Sequence, residues 1–200
     1  MPVTDDSPHI ILASSSPRRR ELLRQIGVAF RVVAADVDET ALPEEKPADY
    51  VVRVALDKAA AVWGRTGGSL PVLAADTAVV LDGCILGKPA DRAEAAAMLR
   101  RLSGRTHEVY SAVALRLGAQ RTADSLNVTR VTFADLTPEW IEAYIDSGDP
   151  MDKAGAYGVQ GGAAARIVRI EGSFSGVMGL PLFETSELLC RCEVLSYTLP

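Results

Sequence analysis

Between Pro47 and Gly64 the apolar positions Val51, Val54, Ala55, Ala59 and Val62 recur at spacings of three and four, with Lys58 on the same stripe. That period predicts an amphipathic helix with Lys58 on or beside its buried face. Residues Pro71 to Leu81 form a near-continuous apolar run closed by Asp82-Gly83, which predicts a buried strand turning into a hairpin, with Asp76 inside the run. Upstream, Ile10-Ile-Leu-Ala13 passes through Ser14, Ser15 and Ser16 into Pro17-Arg-Arg-Arg-Glu-Leu-Leu23. This reads as a strand and then a helix, with Ser16 as N-cap and Pro17 as the first helical residue. A strand from Arg31 to Ala35, an acidic loop from Asp36 to Thr40, and a helix from Asp91 to Leu102 follow the same logic. So do strands over Glu108 to Leu117 and Arg121 to Asp135, joined by a Gly118-Ala-Gln120 turn, and a helix from Thr137 to about Ser147. A strand from Ala165 to Glu171, a glycine-rich turn and a helix from Leu182 to Leu195 complete the chain. The segment Gly148 to Gly162 breaks this regularity with five glycines among charged and aromatic residues, the composition of a binding loop. Strands and helices alternate first and hairpin-linked strands come later, which predicts an α/β fold with a mixed sheet flanked by helices.

Composition narrows the class. The chain has 200 residues, and neither a repeat nor a Pro/Gly/Ser-rich linker divides it, so one domain over 1–200 is expected. Hydrophobic residues make up 48% and charged residues 24%, and no apolar run approaches the ~18 residues of a membrane span. The start, Met1 to Pro8, lacks the basic and apolar regions of a secretory signal, which points to the cytoplasm. Cys84 stands alone, and Cys190 with Cys192 lacks a second ligand pair, so reduced thiols are expected rather than structural zinc. A net charge of -5 argues against a nucleic-acid partner and gives the basic residues a local meaning.

That local meaning starts at Ser16. Arg18 and Arg19 follow a helix N-terminus, where cations oppose the dipole, and a bound anion such as phosphate removes the conflict. Gly87-Lys88 is followed by Pro89 and lacks the rest of a phosphate-binding P-loop. What remains is a scattered set of cations, Arg18, Arg19, Lys58, Lys88 and Lys153, and of acids, Asp36, Asp38, Glu39, Asp76 and Asp152. Asp76 is the exception among them, because a carboxylate inside an apolar strand needs a metal, a lysine or a ligand as partner. His9 and His107 read as surface or hydrogen-bonded core histidines, and Ser14 to Ser16 lack the elbow of a nucleophilic serine. Trp63, Trp140 and Phe133 fit core packing. Tyr157, between glycines, either stacks on a base or anchors its loop.

Eight segments taken in order carry a resemblance across the whole chain. They are Leu12-Ala-Ser-Ser-Ser-Pro-Arg-Arg19, Val37-Asp-Glu39, Lys58-Ala59, Ala75-Asp-Thr-Ala-Val-Val80, Gly87-Lys-Pro89, Leu102-Ser-Gly-Arg-Thr-His107, Asp152-Lys-Ala-Gly-Ala-Tyr-Gly-Val-Gln-Gly161 and Val177-Met-Gly-Leu-Pro181. Together they resemble the Maf family of nucleoside triphosphate pyrophosphatases, also named septum formation inhibitors. The resemblance implies an elongated α/β fold related to inosine triphosphatase, with two lobes around a central cleft and commonly a homodimer. It implies hydrolysis of a nucleoside triphosphate between the α and β phosphates, with a divalent cation, Mg²⁺ or Mn²⁺. On that reading Asp76 is the proton acceptor and holds the metal with Glu39. Lys58 and Lys88 act in catalysis, and Ser14, Ser16, Arg18, Arg19, Lys58, Lys88 and Lys153 bind phosphate. Arg18, Thr77 and Gln160 set specificity and are similar to the subgroup acting on dTTP and UTP. The sister subgroup, acting on 7-methyl-GTP, carries Trp, Gln and Glu at those places. The alternatives are a nucleotide-binding regulatory protein of cell division and septum formation, without significant turnover, or membership of the 7-methyl-GTP subgroup.

Overall fold

The alternating and helical patterns resolve into seven strands and six helices in a computed structural model that describes residues 8–195. The expectation drawn from the first residues of the chain falls outside that range. In chain order the elements are β1 (Ile10–Leu12), α1 (Pro17–Gln25), β2 (Phe30–Val32), α2 (Pro47–Thr66), β3 (Val72–Leu81) and β4 (Cys84–Leu86). They continue with α3 (Arg92–Leu102), β5 (Thr106–Arg116), β6 (Thr122–Phe133), α4 (Pro138–Asp146), β7 (Ile167–Glu171), α5 (Phe174–Met178) and α6 (Leu182–Arg191). Short 3-10 turns fill most of the stretch between α4 and β7.

The sheet is mixed, as the element order predicts. Its strands lie in the order β2-β1-β3-β5-β6-β7, with β4 paired to the far end of β3. β1 runs parallel to β2 and β3, and every later pairing is antiparallel. The stripe of α2 packs on one face, where Val51, Ala55, Ala59 and Val62 meet Ile11, Ala74, Ala78, Val80 and Ala112. The opposite face carries two apolar clusters. Ile10, Leu12, Leu73 and Ala75 pack with Leu22, Leu23, Leu188 and Leu189 in the first. Val79, Leu81, Val109 and Phe133 pack with Leu99, Leu102, Ile141 and Ile145 in the second. Side chains alternate along a strand, so Ala75, Thr77 and Val79 share this face, and Thr77 lies at the seam between the two clusters.

The ladder also has a gap. β1 meets β3 only at Val72 and Leu73, and β4 meets it only from Val79 to Leu81. Among the described residues no strand covers Ala74 to Ala78 on that side, whereas β5 pairs with them throughout on the other. A strand whose neighbours stop and diverge opens the kind of crevice where α/β sheets hold ligands.

Three boundaries differ from the sequence pattern. β2 ends at Val32, because its partner β1 gives way to the serine turn and only Val33 N still reaches Leu12 O. The glycine-rich turn after β7 contains α5, which Ser173 caps by accepting from Gly176 N at 2.9 Å. α6 stops at Arg191 rather than Leu195. Glu193 takes a φ of 60°, and Val194 N donates back to Leu189 O, closing the helix in a Schellman turn. The cysteines all carry free thiols. No helix among the described residues is long and apolar enough to cross a membrane.

Candidate active site

The eleven residues given site roles, Ser14, Ser16, Arg18, Arg19, Glu39, Lys58, Asp76, Thr77, Lys88, Lys153 and Gln160, line one cleft of about 580 Å³ at the gap in β3, together with Asp152, whereas the candidate acids Asp36 and Asp38 are not among its lining residues. Each arrives there for a local reason. Ser16 ends the serine turn and caps α1, accepting from Arg19 N at 3.4 Å with Pro17 at the first helical position, so the cap read from sequence forms. Ser14 is buried and accepts from Ser16 N at 3.2 Å and from Arg19 Nη1 at 3.4 Å. Arg19 is further fixed by donating from Nε to Gly179 O at 2.8 Å, which ties α1 to the turn after α5. Burial lowers the pKa of Arg19 against the pull of Asp76 and Glu39, yet a guanidinium stays charged.

Asp76 projects from β3 toward α2, and its partner is a lysine. Lys58 Nζ donates to Asp76 Oδ1 at 2.8 Å and lies 2.9 Å from Glu39 Oε1, so one ammonium bridges two carboxylates. Asp76 and Lys58 are only 4% and 7% exposed, which explains why the helix stripe admits a lysine at this turn. Burial raises the Asp76 pKa above its ordinary value, while Lys58 and Arg19 hold it down. Glu39 comes from the irregular segment between β2 and α2 and is about half exposed.

Thr77 points to the other face of the same strand. Its hydroxyl lies 3.1 Å from that of Ser111, its register partner on β5, which is fully buried. Arg18 stands 3.9 Å from Asp152. Lys153 is less free than its place in a glycine-rich loop suggests, because Nζ donates to Asp149 O at 2.5 Å and to Asp152 Oδ1 at 2.6 Å. Lys88 and Gln160 are exposed at the cleft.

The loop from 148 to 162 is bound into the fold by groups that local sequence did not single out. Tyr144 donates to Asp149 Oδ2 at 2.6 Å and accepts from Gly158 N at 3.1 Å. A Cβ on Gly158 would stand 2.7 Å from Lys153 Cε, and one on Gly161 would stand 2.9 Å from Asp149 Cγ, so both glycines permit a close approach. Tyr157 anchors the loop: it is 5% exposed, and its hydroxyl lies 2.7 Å from His107 Nε2. His107 is thus a core histidine, stacked 5.6 Å from Phe133, and burial lowers its pKa to about 4. The arrangement offers a cationic cradle for several phosphates, a buried carboxylate beside it, and neutral hydrogen-bonding groups at its edge.

Comparison with known proteins agrees in extent with this geometry. The family described as "Maf-like protein" matches residues 9–192. A protein named dTTP/UTP pyrophosphatase from Nitrosomonas europaea is 56% identical over 192 residues, covering 90% of this chain and 92% of that one. Proteins of the same name from Bordetella avium and Escherichia coli are 52% and 51% identical, covering 95% and 93% of this chain and 98% and 94% of theirs. A solved structure described as a nucleoside-triphosphatase / dITP/XTP pyrophosphatase from Mycobacterium abscessus overlaps 62% of this chain and 72% of its own. Its identity is 21% and its TM-score 0.41, too small a likeness to argue from. With a family match running nearly end to end, and relatives identical at half or more of their aligned positions, this chain belongs to the Maf family.

Proposed function

We propose that this protein hydrolyses dTTP and UTP to the nucleoside monophosphate and pyrophosphate, in the presence of a divalent cation. The observation that carries the reading is the Glu39–Lys58–Asp76 cluster lying in one cleft with the arginines and lysines suited to a triphosphate. The names of the relatives support the substrates.

The residues present fit a cation. Lys58 is a stand-in positive charge where two hard oxygen donors converge, and two carboxylates with substrate phosphates are a donor set that Mg²⁺ accepts. Among the described residues no cluster of three or more metal-ligating side chains occurs, so the two carboxylates are the protein donors on this reading. Glu39 and Asp76 would hold the ion. When bound it would neutralise phosphate charge and acidify a water.

The chain's own groups do the rest. Asp76 accepts the proton of the attacking water, and its raised pKa brings it closer to working pH. Arg18, Arg19, Lys88 and Lys153, with Ser14 and Ser16, bind the phosphates and stabilise charge on the leaving pyrophosphate. Lys58 keeps Asp76 ionised and adds a phosphate contact. Thr77 and Gln160 offer neutral donors and acceptors to a pyrimidine edge, with Arg18 beside them. The same reading takes the whole chain as one catalytic domain acting in the cytoplasm, and as the homodimer that the family resemblance implies.

The test is product analysis over a panel of nucleoside triphosphates with and without Mg²⁺ or Mn²⁺. Monophosphate and pyrophosphate from dTTP and UTP are expected. Nucleoside diphosphate and orthophosphate as products, or nucleotide binding without turnover, would overturn the reading.

A further inference from the structure

The segment joining β2 to α2 has no helix or strand, yet it carries Glu39 to the cleft. Irregular connections of this length are uncommon in compact folds and usually serve a site. This one is fastened to α2 at several points. Tyr50 donates its hydroxyl to Glu39 O at 2.9 Å. Arg53 Nη2 donates to Thr40 O at 3.1 Å, one residue further along. The same guanidinium grips Glu45 with both arms, from Nε to Oε1 at 2.6 Å and from Nη2 to Oε2 at 2.8 Å. Glu45 Oε2 in turn accepts from Leu42 N at 3.0 Å. Residues 40 to 45 therefore close into a ring around one arginine. The Glu45 side chain is 8% exposed, unlike the ion pairs on the outer surface, whose acids are 40% exposed or more.

The other end of the ring faces the chemistry. Lys58 follows Arg53 by five positions on α2, and it is the residue whose ammonium lies 2.9 Å from Glu39 Oε1. A single helix thus holds the Glu39 main chain through Tyr50, the adjoining carbonyl through Arg53, and the Glu39 carboxylate through Lys58. An ion pair kept for stability alone would need none of the contacts to Glu39 O and Thr40 O.

We propose that Arg53, Glu45 and Tyr50 form a buckle that holds the Glu39 carboxylate in place for the divalent cation, which makes them positioning residues. The inference rests on the two-carboxylate reading of the cation site given above. Arg53 is suited to the task because a planar fork can bind Glu45 and a main-chain carbonyl together, and lysine cannot reproduce that. Partners that orient a metal-binding carboxylate typically govern affinity by ~10- to 100-fold.

Binding of Mn²⁺ to full-length protein, measured by electron paramagnetic resonance with an α,β-methylene analogue of UTP present, tests this directly. Arg53→Lys is expected to weaken Mn²⁺ binding by roughly tenfold or more. Tyr50→Phe, which removes one hydroxyl and leaves the ring, is expected to weaken it by a few-fold. In turnover both losses appear as a higher half-saturating Mn²⁺ concentration rather than as a lower kcat. Arg92→Lys replaces the fork of an exposed ion pair to Asp146, 2.6 Å long and away from the cleft, and should leave Mn²⁺ affinity unchanged. Variants of Arg53 and Tyr50 that bind Mn²⁺ as the parent does, whatever their melting temperature, would overturn the buckle. Parent protein that binds no Mn²⁺ with the analogue present overturns the cation reading and the buckle with it.

Discussion

The ammonium of Lys58 lies 2.8 Å from Oδ1 of Asp76, with both side chains almost wholly buried and Arg19 close enough to act on the same carboxylate. Burial and charge pull this acid in opposite directions, and burial wins. Removing Lys58 would leave Asp76 buried with Arg19 as a remaining positive neighbour, whereas removing the Asp76 charge leaves Lys58 paired with Glu39.

The Lys58→Met variant is therefore expected to shift the acid limb of its kcat/KM profile to higher pH. The base works only when ionised, burial already raises its pKa, and loss of the ammonium removes an opposing influence, so the ionised fraction appears at higher pH. Plateau activity also falls, since a phosphate contact is lost. A pH–rate profile checks both, and an unmoved acid limb would separate Lys58 from the titration of the base.

Asp76→Asn is expected to lower turnover by roughly 10² to 10⁴, and by more if the carboxylate also holds the cation. Circular dichroism should show the fold intact, because the amide is isosteric and Lys58 keeps Glu39 as a partner. Nucleotide affinity without metal rises, as one negative charge leaves the triphosphate site. A folded variant with near-parental turnover would make Asp76 structural only.

Specificity offers a separate check. On the proposed role of Gln160, Gln160→Glu replaces the amide that would pair with the base by an anion, at a cost of roughly 1 to 3 kcal/mol, or about five- to 150-fold in kcat/KM for dTTP and UTP. Combining it with Arg18→Trp and Thr77→Gln is expected to move preference toward 7-methyl-GTP, whose positive ring can pair with the carboxylate and stack on the indole. An unchanged substrate ratio in the triple variant would mean that these side chains do not read the base.

His107 gives a stability prediction. Its folded pKa of about 4 lies below the ordinary 6.5, so between those values the unfolded chain binds more protons and stability rises with pH. Its contribution is complete above pH ~6.5 and is lost as pH falls through about 4, amounting to about 3 kcal/mol. Urea unfolding of parent and His107→Gln at pH 7, 5 and 4 should show a shallower acid loss in the variant. Parallel losses would place the acid sensitivity elsewhere.

What the sequence revealed follows the range of the interactions. The Ser16 cap, the Asp82-Gly83 hairpin and the α2 stripe depend on residues within a few positions of one another, and all three formed. Asp76 was legible because a carboxylate conflicts with its own strand, and Lys58 because it interrupts an apolar stripe. Asp149 stood beyond that reach. Its role depends on Tyr144 and on the close approach of Gly158 and Gly161, which only the folded loop brings together. The hold of Gly179 on Arg19 spans nearly the whole chain, and local pattern carries no trace of it. Arg53 and Glu45 are eight positions apart, and local pattern does not single them out; their ring closes only in the fold.

Because the gap opens one edge of β3 to the cleft, the neighbours Asp76 and Thr77 reach it from opposite faces of the strand by the alternation of the backbone alone. A slip of one residue in β3 would send the acid toward the face of Ser111 and the threonine toward Lys58. Pairing from Val72 to Val80 with β5, continued from β5 to β6 over Thr106 to Arg116, opposes that slip. The distant hairpins thus act as the vernier of the active site. Substitutions far out on β5 or β6 that loosen pairing should blur both rate and base selectivity together, without touching any residue in the cleft.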